Sequence, residues 1–258
     1  MMKCALIVFL ASGVVVSAWA RSKQPASEPK PPRQNPAAEL PTVDQLLDKY
    51  VAALGGKAAI EKITSRVSKG TFEIPNFSAT GSIEIYAKAP NKQISISTSP
   101  GFGVTRRAYD GTSGWEQSPM AGLRDLKGSE LASVKRESDL YRSLKFKEFY
   151  STLTVVGKEK VDKYDTYVVD AIPKEGTPEK LYFDRQGGLL VRRDVEMTGR
   201  QGKVILNIYT DDYREVDNVK EAFVERRVSS VFTLNIKLDE IKHNVAVDDA
   251  KFNKPASQ

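Results

Sequence analysis

The chain has 258 residues, with 39 Lys and Arg against 33 Asp and Glu, one His and one Cys. A lone Cys excludes a disulfide scaffold and a thiolate metal cage, and a lone His excludes the clustered imidazoles of zinc and copper sites. The formal charge of +6 would raise nucleic-acid binding in a cytosolic chain, but the N-terminus directs the reading elsewhere.

Residues 1–20 read as a secretory signal. Lys3 supplies the positive start, residues 4–16 are an apolar run, and Ala18-Trp19-Ala20 is a small-x-small cleavage site. Cleavage before Arg21 is expected in preference to an uncleaved anchor, because the uncharged run sits at the lower limit of ~17 residues for a membrane span. Cys4 and Trp19 then leave with the signal, and the periplasm is the expected location. Residues 21–42 hold Pro25, Pro29, Pro31, Pro32, Pro36 and Pro41 among polar side chains. Such a composition buries no core and reads as a Pro-rich disordered linker. Lys3 and this linker carry half of the net charge, leaving +3 for residue 43 onward. That mild excess suits visits to anionic membrane surfaces and gives no nucleic-acid footprint. The doublets Arg106-Arg107, Arg192-Arg193 and Arg226-Arg227 lie in strand-like runs. Neighbouring side chains there point to opposite faces, so they read as solvated charges and rim residues and not as a head-group site.

Thr42 followed by Gln45 is a capping box, and Leu46, Leu47, Tyr50, Val51 and Leu54 recur at helical spacing. The pattern predicts a helix over 43–54, closed by Gly55-Gly56, with a short second helix over 57–63. From Val67 the period becomes two: Phe72 and Ile74, Ile83 and Ile85, and Ile94 and Ile96 alternate with polar residues. Pro75-Asn76, Ala89-Pro90-Asn91, Ser99-Pro100-Gly101 and Asp110-Gly111 punctuate these runs as turns. Ser129 is placed to cap a third helix reaching about residue 150, striped by Leu131, Val134, Tyr141 and Leu144. Strand signals resume over 153–161, 164–172, 180–184 and 189–197, with Gln186-Gly187-Gly188 as a hairpin turn. Val204, Leu206 and Ile208 alternate again, and a last run places Val228, Phe232, Leu234, Ile236 and Leu238 on one face. The fold class is α+β: a meander of about ten antiparallel strands, which curls because a flat sheet rarely grows so large.

The chemistry of catalysis is thin. His243, in Glu240-Ile-Lys-His-Asn244, has no Cys or second His to join it and reads as a packed strand residue. Asp211-Asp212 and Asp248-Asp249 are adjacent carboxylates that alternation sends apart, so they read as turn caps or solvated charge. With no Gly-rich phosphate loop and no nucleophile elbow, neither enzyme activity nor a cofactor or metal is expected. A curled sheet with one apolar face either closes around a cavity or is plugged by its helices, and periodicity leaves both open.

Several motifs narrow the choice. Residues 50–63 (YVAALGGKAAIEKI) followed by Lys69-Gly-Thr-Phe72, residues 182–192 (YFDRQGGLLVR), 212–217 (DYREVD) and 241–252 (IKHNVAVDDAKF) resemble the LolA/LolB-like outer-membrane lipoprotein-sorting superfamily. Where relatives often show Val-Asp-Gly before a Pro, this chain has Val216-Asp217-Asn218 and Ala222, and Asn tolerates the same left-handed turn. The resemblance covers 43–255 and implies an open half-barrel with a helical lid over an apolar cavity, acting as a periplasmic carrier or chaperone for lipoprotein acyl chains or another lipid. The candidate lining is Leu47, Tyr50, Val51 and Leu54, then Leu131, Val134 and Tyr141, facing Ile83, Ile85, Ile94, Ile96, Leu206, Ile208, Phe232 and Leu234. A monomer is expected. The alternative is an envelope protein-interaction or sensor module that docks membrane proteins.

Overall fold

The computed structural model describes residues 39–199 and 202–256. The readings of a secretory signal and most of the Pro-rich linker fall on residues outside these. Helix α1 (Val43–Ala53) begins at the expected capping box: Gln45 N–H donates to Thr42 Oγ1 at 3.2 Å, and Thr42 N–H donates back to Gln45 Oε1 at 2.9 Å. Two backbone N–H groups left without helical partners are thereby satisfied. Helix α2 (Lys57–Ile60) is one turn, shorter than the apolar spacing predicts.

Thirteen strands follow. They are β1 (Ser65–Ile74), β2 (Ala79–Lys88), β3 (Lys92–Ser99), β4 (Gly103–Tyr109), β5 (Gly114–Ser118), β6 (Gly122–Asp125), β7 (Tyr150–Val161), β8 (Tyr164–Pro173), β9 (Glu179–Asp184), β10 (Leu190–Gly199), β11 (Gly202–Val216), β12 (Val219–Val228) and β13 (Thr233–His243). All pair antiparallel in one unclosed sheet ordered β6-β5-β4-β3-β2-β1-β13-β12-β11-β10-β9-β8-β7. The expectation of about ten strands is corrected upward. The short pair β5 and β6 carries little alternation, and β12 is rich in charge. The run expected from Val228 to Leu238 is two strands hinged at 229–232, where Ser229 Oγ accepts from Val231 and Phe232 N–H. Val228 therefore shares no strand with Leu234.

The third helix is also corrected. Helix α3 (Gly128–Ser138) has Lys127 at its cap, not Ser129, and no side-chain cap bond. It stops because Asp139 turns extended and its carboxylate accepts from Tyr141 N–H at 2.8 Å, a local bond that competes with the helix. A 3₁₀ turn, Arg142–Leu144, and the single turn α4 (Phe146–Phe149) complete the link.

This link decides the curvature, because it joins the two edge strands, β6 and β7. At ~4.8 Å per strand the edges of a flat thirteen-strand sheet lie roughly 58 Å apart. Residues 126–149, mostly helical, reach roughly 50 Å at most. The sheet must bend toward the link, which gives a half-barrel with a helical lid on its inner side. A 3₁₀ turn, Asp249–Phe252, ends the described chain on the outer side. Among the described residues no helix is long and apolar enough to cross a membrane.

Candidate functional site

Antiparallel partners share a face, so the register assigns every strand residue to the lid side or the outer side. Starting from Leu181, which packs under α1, the pairs Leu181–Arg193, Arg193–Ile208, Ile208–Arg227 and Arg227–Leu234 carry the lid side from β9 to β13. Phe72–Ile236, Gly70–Ile83 and Ile83–Ser97 carry it on to β3.

The helices cover the two ends of this surface. Leu46, Tyr50 and Leu54 of α1 pack with Phe146, Val169, Leu181 and Phe183, and Tyr50 meets the Phe183 ring edge-on at 5.3 Å. At the other end Leu131 and Val134 of α3 pack on Tyr109 and Leu126. Between them lies a stretch contributed by strands and the 229–232 turn alone: Phe72, Ile83 and Ile236 with Ile85, Leu234 and Leu238, beside Val195, Leu206, Ile208 and Phe232. Ile85, Leu234, Leu238 and Phe232 remain half-buried there. Among the described residues no helical side chain belongs to either cluster, which leaves an apolar strip without an apolar helical cap, although Glu137 of α3 reaches Arg193 beside it.

Thirteen of the fifteen predicted lining residues lie on the lid side. Leu47, Tyr50, Val51, Leu54 and Tyr141 belong to the α1 cluster, Leu131 and Val134 to the α3 cluster, and Ile83, Ile85, Leu206, Ile208, Phe232 and Leu234 to the strip. Ile94 and Ile96 do not. The hairpin at Ala89-Pro90-Asn91 sets Tyr86 opposite Ile94 and Glu84 opposite Ile96, which turns both to the outer side. There Ile94 packs with Trp115, Val247 and Phe252. Trp115, 1% exposed, donates its indole N–H to Phe252 O at 2.9 Å.

Of the Arg doublets, whose members do point to opposite faces, Arg193 is enclosed with its side chain 14% exposed, whereas Arg107 and Arg227 keep 35% and 37% exposure at the rim of the lid side. Arg107, Arg193 and Arg227 stand on the lid side, where Glu137 of α3 meets Arg193. Arg193 Nη2 donates to Glu137 Oε1 at 3.4 Å, and Ser133 Oγ donates to the same oxygen at 3.3 Å. Burial pushes the Glu137 carboxyl up, but the positive charges of Arg193, Arg227, Arg107 and Arg142 outweigh it and hold the group at about 2. Arg107 is also paired with Glu116 and Arg227 with Glu225. Beside them Glu179, fully buried, is bound by Arg136 and accepts from Tyr150 Oη at 3.0 Å. Sequence reasoning missed this ring. Its signal was Glu137 falling three residues after Val134 on the α3 stripe, and Arg193 sharing the parity of buried Val195.

The other flagged groups are structural. His243 is buried, and its Nε2 lies 3.1 Å from Glu221 Oε1, which is itself bound by Arg66. Asp211 accepts from Lys163 and Tyr164, Asp212 from Arg214, Asp248 caps the 3₁₀ turn, and Asp249 pairs with Lys88 and Lys92.

The outer side carries a groove of about 790 Å³, lined by Val161, Tyr164, Val191, Tyr209, Val224 and Arg226 among others, and bounded also by Phe72 and Ile236 of the strip. None of the fifteen predicted residues lines it. The β7–β8 hairpin overhangs it through Asp162, which accepts from Arg226 at 3.1 Å, while the Arg226 guanidinium lies over Tyr209 at 4.0 Å.

An open antiparallel sheet of this topology, curved beneath a helical lid, has known counterparts. A DUF1329 family protein from Desulfovibrio piger superposes with a TM-score of 0.57 at 16% identity, over 82% of this chain and 97% of that one. A putative outer membrane lipoprotein-sorting protein domain from Vibrio parahaemolyticus gives 0.53 at 12% identity, over 81% and 97%. A LolA superfamily protein from Nitrosomonas europaea gives 0.53 at 14% identity, over 83% and 99%. The fold is LolA-like. At these identities the likeness concerns architecture, and the resemblance read from the motifs is borne out at that level. No family model and no curated relative matches the chain.

Proposed function

We propose that this protein is a periplasmic, non-enzymatic carrier that holds acyl chains of lipoproteins or another lipidic amphiphile against the lid side of its half-barrel. The observation that carries the reading is the apolar strip around Phe72, Ile83, Ile85, Leu234 and Ile236, in which Ile85 and Leu234 remain half-buried and which includes no helical residue. Each methylene laid against such a surface contributes ~0.8 kcal/mol before ordering costs, so a long chain reaches micromolar affinity with little selectivity for its length. The arginine ring adjoins the strip, and an anionic head group exchanging with Glu137 would release α3 from the sheet.

The test is displacement of an apolar fluorescent dye by fatty acids and lipopeptides. Wild type is expected to bind in the micromolar range, and Ile85→Glu with Leu234→Glu to weaken binding at least ten-fold while the thermal transition is retained. Undiminished binding by that variant removes the strip as the site. A second reading, an envelope interaction module, draws on the outer groove of about 790 Å³, a size that also suits ligands. Val224→Glu, whose side chain lines that groove, is expected to leave dye binding unchanged and would abolish it if the groove were the lipid site.

A further inference from the structure

Among the described residues eight large apolar side chains are exposed, and their positions are not scattered. The turns β1–β2, β3–β4, β5–β6, β8–β9 and β12–β13, with the paired ends of β10 and β11 at Gly199 and Gly202, all lie at one end of the sheet, as the antiparallel order requires. Six of the eight belong to that end: Phe77 (54% exposed), Phe102 (53%), Met120 (93%), Val231 (62%), Ile172 and Ile205. Phe77, Phe102, Met120 and Val231 sit in the turns themselves. Ile172 is next to the last residue of β8, and Ile205 lies in β11 near its start.

The two ends differ in charge as well. At this end the turns read Pro75-Asn-Phe-Ser78, Pro100-Gly-Phe102, Pro119-Met-Ala121 and Ser229-Ser-Val-Phe232, with no acidic residue among them. The β8–β9 turn carries Glu175, which is paired with Lys135 at 3.2 Å. At the opposite end the turns carry Asp110, Asp162, Asp184 and Asp217. Consecutive tips are two strands apart, roughly 10 Å along the sheet edge, so the six form a curved rim on the order of 50 Å long. No small pocket meets points so spaced. A planar lipid interface accepts each apolar tip separately, and the tips carrying Phe77, Phe102, Met120 and Val231, which hold no carboxylate, are spared repulsion from anionic head groups.

We infer that this end of the half-barrel is a membrane-docking rim, in which the hairpin tips Phe77, Phe102, Met120 and Val231 enter the head-group region of a lipid surface. The inference stands on exposure and topology and is independent of the acyl-chain reading, since a rim can dock whatever the lid side holds. It fixes the orientation of the protein, with the Asp-bearing turns pointing away from the membrane.

Flotation of the full chain with vesicles of phosphatidylethanolamine and phosphatidylglycerol tests it. Wild type is expected to float, and the variant Phe77→Ser, Phe102→Ser, Met120→Ser, Val231→Ser to lose at least ten-fold in vesicle partitioning. Val156→Ser, exposed on edge strand β7, is expected to change nothing. A dye attached at Met120→Cys in a Cys4→Ser background is expected to shift to the blue on the same vesicles, and one at Asp110→Cys not to shift, which holds even if the quadruple variant folds poorly. Wild type that stays unbound, equal flotation of the quadruple variant, equal shifts at both ends, or flotation only with vesicles containing envelope proteins would overturn the rim as a lipid-docking surface.

Discussion

Glu137 shows how one side chain couples the lid to the sheet. Its carboxylate belongs to α3 and pairs with Arg193 of β10, so the contact ties the helix to the sheet, while the positive charges of Arg227, Arg107 and Arg142 act on it without a direct contact. The folded value of about 2 lies below the ~4.3 of an unfolded Glu. The stabilisation is therefore fully present above the unfolded value and is lost as pH falls toward 2. Glu137→Gln is expected to lower unfolding stability by about 1–3 kcal/mol at pH 7, with the gap to wild type closing between about pH 4.5 and 2. Denaturant titrations across that range check it, and a gap that persists at pH 2 contradicts the ionic account. The neighbouring Glu179 differs because it is fully enclosed, with Arg136 and Tyr150 as its hydrogen-bond partners. Alternation alone did not reveal either residue, since a charge at an inward position looks like a break in the pattern until its partners on other strands are known.

Among the elements, the C-terminal segment has a role that its polar sequence conceals. Val247 and Phe252 cover Ile94, Ala108 and Trp115 on the outer side of β3, β4 and β5, a surface the lid never reaches. Trp115 therefore reports on the docking of this segment and not on a ligand under the lid. Deletion of residues 247–258 is expected to expose the indole, red-shifting its emission, and to cost about 3 kcal/mol, in the range for removing a fully buried Phe. Unchanged emission would show that the segment does not cover Trp115 in solution. Helix α1 contrasts with it, because capping box, apolar stripe and terminal glycines are all local signals and all appear where expected. The helix expected to reach residue 150 was overextended because the stripe continues through Tyr141 and Leu144, while Asp139 stops the backbone with its own side chain.

At the scale of the whole molecule, two meanders, β1 to β6 and β7 to β13, are joined as a sheet only by the seam between β1 and β13. Gly70 sits at the irregularity in that seam, where a Cβ would stand 2.1 Å from Lys237 O. Such a contact is met only by moving backbone, so Gly70→Ala is expected to lose about 2 kcal/mol and to lower the unfolding midpoint of both meanders together. A stability equal to wild type, measured by chemical denaturation, would mean the seam yields at no cost. The same architecture places the uncapped strip and the apolar rim, because bending toward the short β6–β7 link creates an inside, and the antiparallel order gathers five described turns and the paired ends of β10 and β11 at one end.

Period-two alternation, turn residues and helix caps, each a local property of the chain, determined that the protein is a large antiparallel meander with α1 in front and a helical insertion between its halves. The motifs spread along the chain placed it in the LolA-like fold. Which side each strand shows to the lid was decided only by tertiary structure, because register depends on the length of every hairpin and a shift of one residue reverses a face, as Ile94 and Ile96 demonstrate. The arginine ring and the rim are likewise assembled from residues far apart in sequence, brought together by pairing between strands and by the short link across the half-barrel.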